Sequence, residues 1–524
     1  MKILFLASEC VPFIKTGGLA DVIGSLPAAI RKTGADVRVM LPKYGLIDDY
    51  WKSRMQHVCE YTVLFGMRQM FVGVEKIVDN DVTYYFLDNE EMFYVENIYG
   101  DGENEGKRFA FFSRAAVESL PRIGFFPDVL HCNDWQTGLV PALIKTQYQW
   151  SADYARIKTV FSVHNLRYQG VFDFAALNGC LGFDNRYFTS EFLEFYGKLN
   201  CLKAGLVFSD RVSTVSPTYA TEIMTSFYGE KLDGLLRARG DGVTGIVNGI
   251  DTVVYDPGTD RFLGAHYSKD DMAGKATCKR ELQRECNLRE DPNVPVVAMI
   301  ARLSAQKGLD LIECVLSEIL NLNVQLVFLG AGEKHYADCL SWAEWRYPGS
   351  VSFRSGMNEG LAHRIYAGAD LFLMPSLFEP CGLSQMIAER YGTAPIVRET
   401  GGLKDTVSPY NCYTGEGDGF SFANYNAHEM LATIERAVDL YRSDREAFTR
   451  LIASGMAKDF SWAASAKQYL EMYAKLLPKT ASKASEAAAR AGAKKAPAPK
   501  TAAKKPAAKK PAAKTGKESR AENP

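Results

Sequence analysis

The chain has 524 residues, 47% hydrophobic and 12% aromatic, with a formal net charge of −1. That length exceeds what one hydrophobic core spans, so two large domains are expected. No apolar run approaches membrane-spanning length, and Ile3 to Ala7 is too short for a signal peptide. The near-neutral charge hides an asymmetry: 13 basic and 3 acidic residues from Lys479 onward leave 48 basic and 59 acidic residues in the body. Eleven cysteines without a Cys-x-x-Cys pair read as buried, reduced thiols of a cytoplasmic protein.

Lys2 to Ala7 reads as a strand, followed by the loop Lys15-Thr-Gly17-Gly18-Leu-Ala-Asp21. Leu19, Val22, Ile23, Leu26 and Ile30 then mark an amphipathic helix containing Pro27. Val37 to Leu41 is the next strand. Val72 to Ile77 and Val82 to Leu87 flank Val78-Asp79-Asn80-Asp81. An Asp-x-Asp there suits a metal site, but Asn and Asp favour turns by bonding their own backbone, so a turn is expected. Asp128 to His131 ends in Cys132-Asn133-Asp134-Trp135-Gln136, and Thr159 to Val163 ends in His164-Asn165-Leu166. Both place polar side chains at a strand's carboxyl end, where open α/β sheets bind ligands. Arg211 to Thr214 is a further strand.

Near Gly245-Ile-Val-Asn248 the pattern restarts. Val294 to Ile300 is a strand, its loop carries Arg302 and Lys307, and Leu309 to Leu320 reads as one helix. Val324 to Leu329 and Val351 to Phe353 are strands. Leu371 to Met374 follows, stopped by Pro375, and places Glu379 in the loop before a short helix. Pro395 to Val397 leads into Thr400-Gly401-Gly402-Leu-Lys-Asp405, a near copy of the loop at Thr16. Strands alternating with helices argue for parallel sheets covered on both faces. Ala464 to Leu477 is a last amphipathic helix, and Lys/Ala/Pro-rich low-complexity sequence follows.

Two fixed cations, Arg302 and Lys307, beside glycine-rich loops suit a diphosphate, with Lys15 a third. No metal-ligand cluster is apparent, so neither a metal nor another cofactor is expected. Glu379, Asp134 and His164 remain to meet sugar hydroxyls or an oxocarbenium-like centre. The residues alone reach a two-domain α/β enzyme that binds a diphosphate-containing ligand between its domains.

At these motifs the chain resembles the bacterial glycogen synthases and the related plant starch synthases. The likeness runs from Met1 to about Leu477, through Lys15-Thr-Gly-Gly-Leu-Ala-Asp21, His164-Asn-Leu-x-Tyr168-Gln-Gly170, Lys203-Ala-Gly-Leu206, Ala301-Arg302-Leu-x-x-Gln-Lys307-Gly, Pro375-Ser-x-Phe-Glu379-Pro-Cys-Gly and Thr400-Gly-Gly-Leu-x-Asp405. The resemblance implies two Rossmann-like α/β domains facing a cleft (a GT-B arrangement). Residues 1–243 would form the acceptor side, 244–455 the donor side and 456–478 a helix crossing back; 479–524 lies outside the likeness and is expected from its composition to be a disordered tail. It implies transfer of glucose from ADP-glucose to the non-reducing end of an α-1,4-glucan, with retention. A UDP-glucose-using sibling and a catalytically dead glucan-binding protein are the alternatives.

Carried over by position, Lys15, Gly17, Gly18, Asp21, Asn248, Arg302, Lys307, Glu379, Gly401 and Gly402 meet the donor. His164 and Asp134 join Glu379, Arg302 and Lys307 in catalysis, and Trp135 lies on the acceptor side. Ile387 stands where many two-domain glycosyltransferases have a ribose-binding Glu, and Met357 where many members place a Tyr on the base. The tail's lysine pairs suit weak polyanion binding, although a plain solvated tail is the simpler reading.

Overall fold

The computed structural model describes residues 1–239 and 242–478. The Lys/Ala/Pro-rich segment expected to be disordered, and its polyanion reading, lie outside the described residues. Lys2–Leu6 is the apolar centre of a nine-stranded sheet, buried from Ile3 to Leu6. Asp36–Pro42 and Val129–Asn133 flank it in parallel. Outward from Val129–Asn133 lie Lys158–Val163, Arg211–Thr214 and Val243–Gly245, all parallel. Beyond Asp36–Pro42, Val82–Asp88 is parallel, while Arg68–Asp79 and Gln56–Phe65 close the sheet as an antiparallel meander. The connection through Asn80 and Asp81 is a tight turn with φ of 48° and 62°, the left-handed geometry that short polar residues tolerate.

The second domain repeats the plan with six parallel strands in the order Val351–Ser355, Gln325–Gly330, Val296–Ile300, Leu371–Met374, Ala394–Arg398, Phe420–Phe422. The order reverses beside Val296–Ile300, so the loops after this strand and after Leu371–Met374 open at a switch point, where α/β sheets leave a crevice. The helix expected over Leu309 to Leu320 is two, Leu309–Cys314 and Leu316–Asn321, because Val315 leaves helical geometry at φ −123°.

The boundary drawn at residue 243 cuts a strand. Thr244 and Gly245 pair with Ser213 and Thr214, so the first sheet continues to Gly245 before the chain crosses. The return crossing runs beside this one: Ile250 donates its N–H to Phe460 O at 2.8 Å, and Ser465 Oγ donates to Val247 O at 2.7 Å. Gly249 has no room for a side chain there, since a Cβ would stand 2.7 Å from Trp462 N. The final helix, Trp462–Leu476, docks on Gly18–Arg31 of the first domain. Its Tyr473 hydroxyl meets His131 Nδ1 at 2.6 Å, and His131 Nε2 meets Ser162 Oγ at 2.6 Å. Burial pushes His131 down to about 3, so the ring is neutral and purely a connector.

A second seam joins the domains through two short helices, Pro217–Glu222 and Gly401–Thr406. Thr218 donates from its N–H and hydroxyl to Asp405 at 2.9 and 2.6 Å. In return Glu222 accepts from Thr400 Oγ1 at 3.0 Å and from the Gly401 N–H at 3.1 Å. Each helix start is capped by a carboxylate from the other domain. Among the described residues all eleven cysteines are free. The expectation that they are buried fails at Cys314 and Cys412, which are exposed, and is met only in part at Cys59, Cys180 and Cys339, which are half-buried.

Candidate active site

Between the domains lies a cleft of about 1090 Å³. Its first-domain wall comes from loops at the carboxyl ends of parallel strands, carrying Gly17, Gly18, Asp134, Trp135 and His164. Asn248 stands at the crossing, and Arg302, Lys307 and Glu379 face them from the second domain. The second-domain residues are consecutive in space because two parallel neighbours, Val296–Ile300 and Leu371–Met374, end side by side.

Lys307 Nζ donates to Glu379 Oε2 at 2.5 Å, and Ser376 Oγ donates to the same oxygen at 3.3 Å. The pair is largely withdrawn from water, at 18% and 10% side-chain exposure, so neither charge is strongly screened. Arg302 forms no hydrogen bond or ion pair with the described residues and leaves its guanidinium free for a ligand. Gly308 follows Lys307 at φ 80°, with Pro375 O only 2.2 Å from where a Cβ would stand. A glycine is required there for the lysine's loop to lie against the loop of Glu379.

On the facing wall Asp134 sits at φ 56°, a left-handed conformation at a strand's end. Its Oδ1 accepts the His164 N–H at 2.7 Å. Burial nevertheless dominates and pushes the carboxyl up to about 7, against the backbone N–H groups of His164 and Asn165 and with Glu9 adding to the rise. Burial drives His164 the other way, down to about 4, so its imidazole is neutral at physiological pH. Asn133 Nδ2 donates to Leu6 O at 3.0 Å, which orients its Oδ1 to accept from His164 Nε2 at 2.9 Å. That assignment puts the proton on Nε2 and leaves Nδ1 as an acceptor.

Trp135 is buried against Phe109 and Phe172, with ring centroids 5.2 and 5.3 Å away. Gly170, at φ 60°, closes over it; a Cβ would stand 2.2 Å from Trp135 Cε3.

Four expected donor residues are placed elsewhere. Lys15 Nζ donates to Asp21 Oδ1 at 2.7 Å, and both residues of this partly exposed pair lie outside the cleft lining. Gly401 and Gly402 lie buried beneath the loop of Glu379 and do not line the cleft. Both Glu222 oxygens take the Gly401 N–H at 3.1 Å, and the Gly402 N–H meets Glu379 O at 3.3 Å and Pro380 O at 3.1 Å. Their glycine identity is steric: a Cβ on Gly401 would stand 1.9 Å from Glu379 O.

Of the departures in sequence, Ile387 is core, while Met357 is 79% exposed and outside the lining. Lys203 is structural, donating to Ser190 O and Glu194 O at 2.6 Å each.

Sequence reading missed Glu9. Its Oε2 accepts from Thr16 N and Oγ1 and from Gly17 N, a carboxylate seated in the first glycine loop as Glu222 is seated in the second. The signal was present, since Glu9 follows the first strand as Asp134 and His164 follow theirs. Gln136, in the polar run after its strand, lines the cleft as well, and so do Tyr99 and Phe172, which carry no comparable signal.

The sequence profile of the starch synthase catalytic domain matches residues 2–238, and that of glycosyl transferases group 1 matches 280–451. A glycogen synthase of Geobacillus thermodenitrificans is 52% identical over 479 residues, covering 91% of this chain and 98% of its own. The chain belongs to the glycogen and starch synthase family. Another family member, from Desulforamulus reducens, is 50% identical over 477 residues, 91% of this chain and 99% of its own. Among solved structures, the catalytic domain of starch synthase IV from Arabidopsis thaliana, bound to ADP and acarbose, superposes with a TM-score of 0.84. It is 34% identical and covers 90% of this chain and 98% of that one. A sucrose-phosphate synthase from Thermosynechococcus elongatus, with TM-score 0.58 and 16% identity over 91% and 98% of the two chains, shares the fold alone. Two Rossmann-like domains with a helix crossing back are thus the family's GT-B architecture.

Proposed function

We propose that this chain transfers glucose from ADP-glucose to the 4-hydroxyl at the non-reducing end of an α-1,4-glucan, with retention at the anomeric carbon, in the cytoplasm. The observation that carries the reading is the facing of two unlike walls across one cleft. A free guanidinium and a lysine–carboxylate pair stand on one side, and a neutral His, a buried Asp and a Trp on the other. The relatives named glycogen synthase, and the likeness to a starch synthase solved with ADP and acarbose, support it.

In this reading Arg302 and Lys307 bind the diphosphate and stabilise the charge that grows as the glycosidic C–O bond breaks, the role a divalent metal has elsewhere. Lys307 also holds Glu379, whose carboxylate stabilises the oxocarbenium-like glucosyl unit and positions it. His164 Nδ1, unprotonated, accepts from a glucosyl hydroxyl. The acceptor oxygen attacks from the face the nucleotide leaves, and the departing phosphate oxygen takes its proton, so the configuration is kept without a protein nucleophile. The test is labelled ADP-glucose on a glycogen primer, with and without a chelator and against UDP-glucose. Elongation unaffected by chelator, and faster with ADP-glucose, is expected. No elongation from either donor would remove the reading. Lys307→Ala and Glu379→Gln should each lose on the order of 10²–10³ in turnover while staying folded.

A further inference from the structure

Arg398 ends the strand Ala394–Arg398 and is 8% exposed. Among the described residues no carboxylate forms an ion pair with it, and its Nε is buried without a hydrogen-bond partner. A guanidinium withdrawn from water without a counter-charge costs the fold stability, so stability alone does not account for this residue. Its hydrogen bonds run to two places. Nη1 donates to Leu377 O at 2.6 Å and to Ser376 O at 3.4 Å, both in the loop that carries Glu379. Nη2 donates to the Tyr228 hydroxyl at 3.0 Å, in the first domain. Two and three residues beyond Tyr228, Glu230 and Lys231 line the cleft. One planar, rigid group therefore spans both domains.

The loops it braces are those of the charged pair. Ser376, held through its carbonyl, donates from its hydroxyl to Glu379 Oε2 at 3.3 Å. Leu377 N donates to Gln306 O at 2.9 Å, next to Lys307. The guanidinium carbon also lies 5.9 Å from the centre of the Tyr425 ring. The hydroxyl of Tyr425 donates to Asp310 Oδ1 at 2.5 Å and lies 3.0 Å from Ala305 O, in the loop of Lys307. Arg398 is itself outside the cleft lining, so whatever it does for a substrate it does through these neighbours.

We propose that Arg398 is a positioning residue: it fixes the Ser376–Leu377 backbone so that Glu379 meets the glucosyl unit, and through Tyr228 it registers that loop against the first-domain wall. The assignment rests on the transfer reaction proposed above. Arg398 exchanges no proton and meets no reacting atom.

Turnover and KM are measured with labelled ADP-glucose on a glycogen primer, and ADP binding by titration calorimetry. Arg398→Met keeps the stem and removes the donors. Its kcat should fall about tenfold to a hundredfold, the order expected when a catalytic group is displaced by about 1 Å, with the dissociation constant of ADP within about threefold. Arg398→Lys keeps the charge on one ammonium that cannot span Leu377 O and the Tyr228 hydroxyl, and its kcat should lie between the two. If Arg398 acts through Glu379, the same replacement in a Glu379→Gln background should lower kcat by less than about threefold. A loss there as large as in the parent background overturns the proposal. So does a kcat for Arg398→Met within about twofold of the parent, or ADP binding weakened as much as kcat falls. If Arg398→Met does not fold, judged by circular dichroism, Arg398→Lys with and without Glu379→Gln carries the same comparison. A parent chain that elongates no glucan overturns the transfer reading itself, and is recognised before any variant is made.

Discussion

Replacing Asp134 by Asn separates the electrostatic burden of this carboxyl from its geometry. The Asn Oδ1 still accepts the His164 N–H, 2.7 Å away in the parent, so that tie between the two loops is kept. What disappears is a carboxyl that burial has moved from 3.8 to about 7. The folded state therefore holds this proton more tightly than the unfolded chain does. Stability from this group is fully present below pH 3.8 and is lost progressively as pH rises toward 7. At about 1.4 kcal/mol per pH unit, the ionised carboxylate costs the fold on the order of 4 kcal/mol above pH 7 and roughly 2 kcal/mol at pH 5. Asp134→Asn should accordingly melt higher than the parent, by a margin that widens from pH 5 to pH 8. Turnover should drop sharply, since an amide carries no charge toward the sugar. Thermal scans at matched ionic strength across this range, with glucan elongation measured alongside, test both halves. A margin that stays flat with pH would refute the reasoning, because the proton would then not reside on Asp134.

Gly170→Ala forces a Cβ to within 2.2 Å of Trp135 Cε3 at a backbone φ of 60°, so the indole must move. Tryptophan emission should shift and KM for glucan rise more than KM for ADP-glucose; unchanged kinetics would take Trp135 out of the acceptor side. Glu222→Ala and Asp405→Ala each remove one of the two reciprocal caps between the domains and should cost about 1–3 kcal/mol, with a larger radius of gyration by solution scattering. An unchanged radius in the double variant would show that these caps do not set the cleft's aperture. Tyr473→Phe strands a buried His131 nitrogen and should lower Tm by an amount equivalent to about 1–3 kcal/mol. No change would mean the last helix is held by apolar contact alone.

Glu379, Arg302 and Lys307 were legible because each follows an apolar run of strand length, and polar residues there face the crevice of a parallel sheet. The two Thr-Gly-Gly-Leu loops were legible as a repeat but not as to purpose. One lines the cleft with a carboxylate of its own domain in its amides; the other is spent on Glu222 from the opposite domain. Nothing local distinguishes them, since the partner of a backbone N–H is chosen by what folds against it. The same limit applies to Tyr99 and Phe172, ordinary residues that become lining only where the segments carrying them meet the loop of Trp135.

The alternation of strands and helices, the restart near Gly245 and the loops in which the charged residues sit can be read along the chain, because hydrophobic period and glycine placement are local properties. Which side chains share the cleft, the hold of Lys307 on Glu379, the opposite shifts that burial imposes on Asp134 and His164, and the pairing of Lys15 with Asp21 outside the lining all depend on how distant segments fold together. Distances, desolvation and competition for hydrogen bonds arise between segments far apart in the chain, and they exist only once the two domains have met.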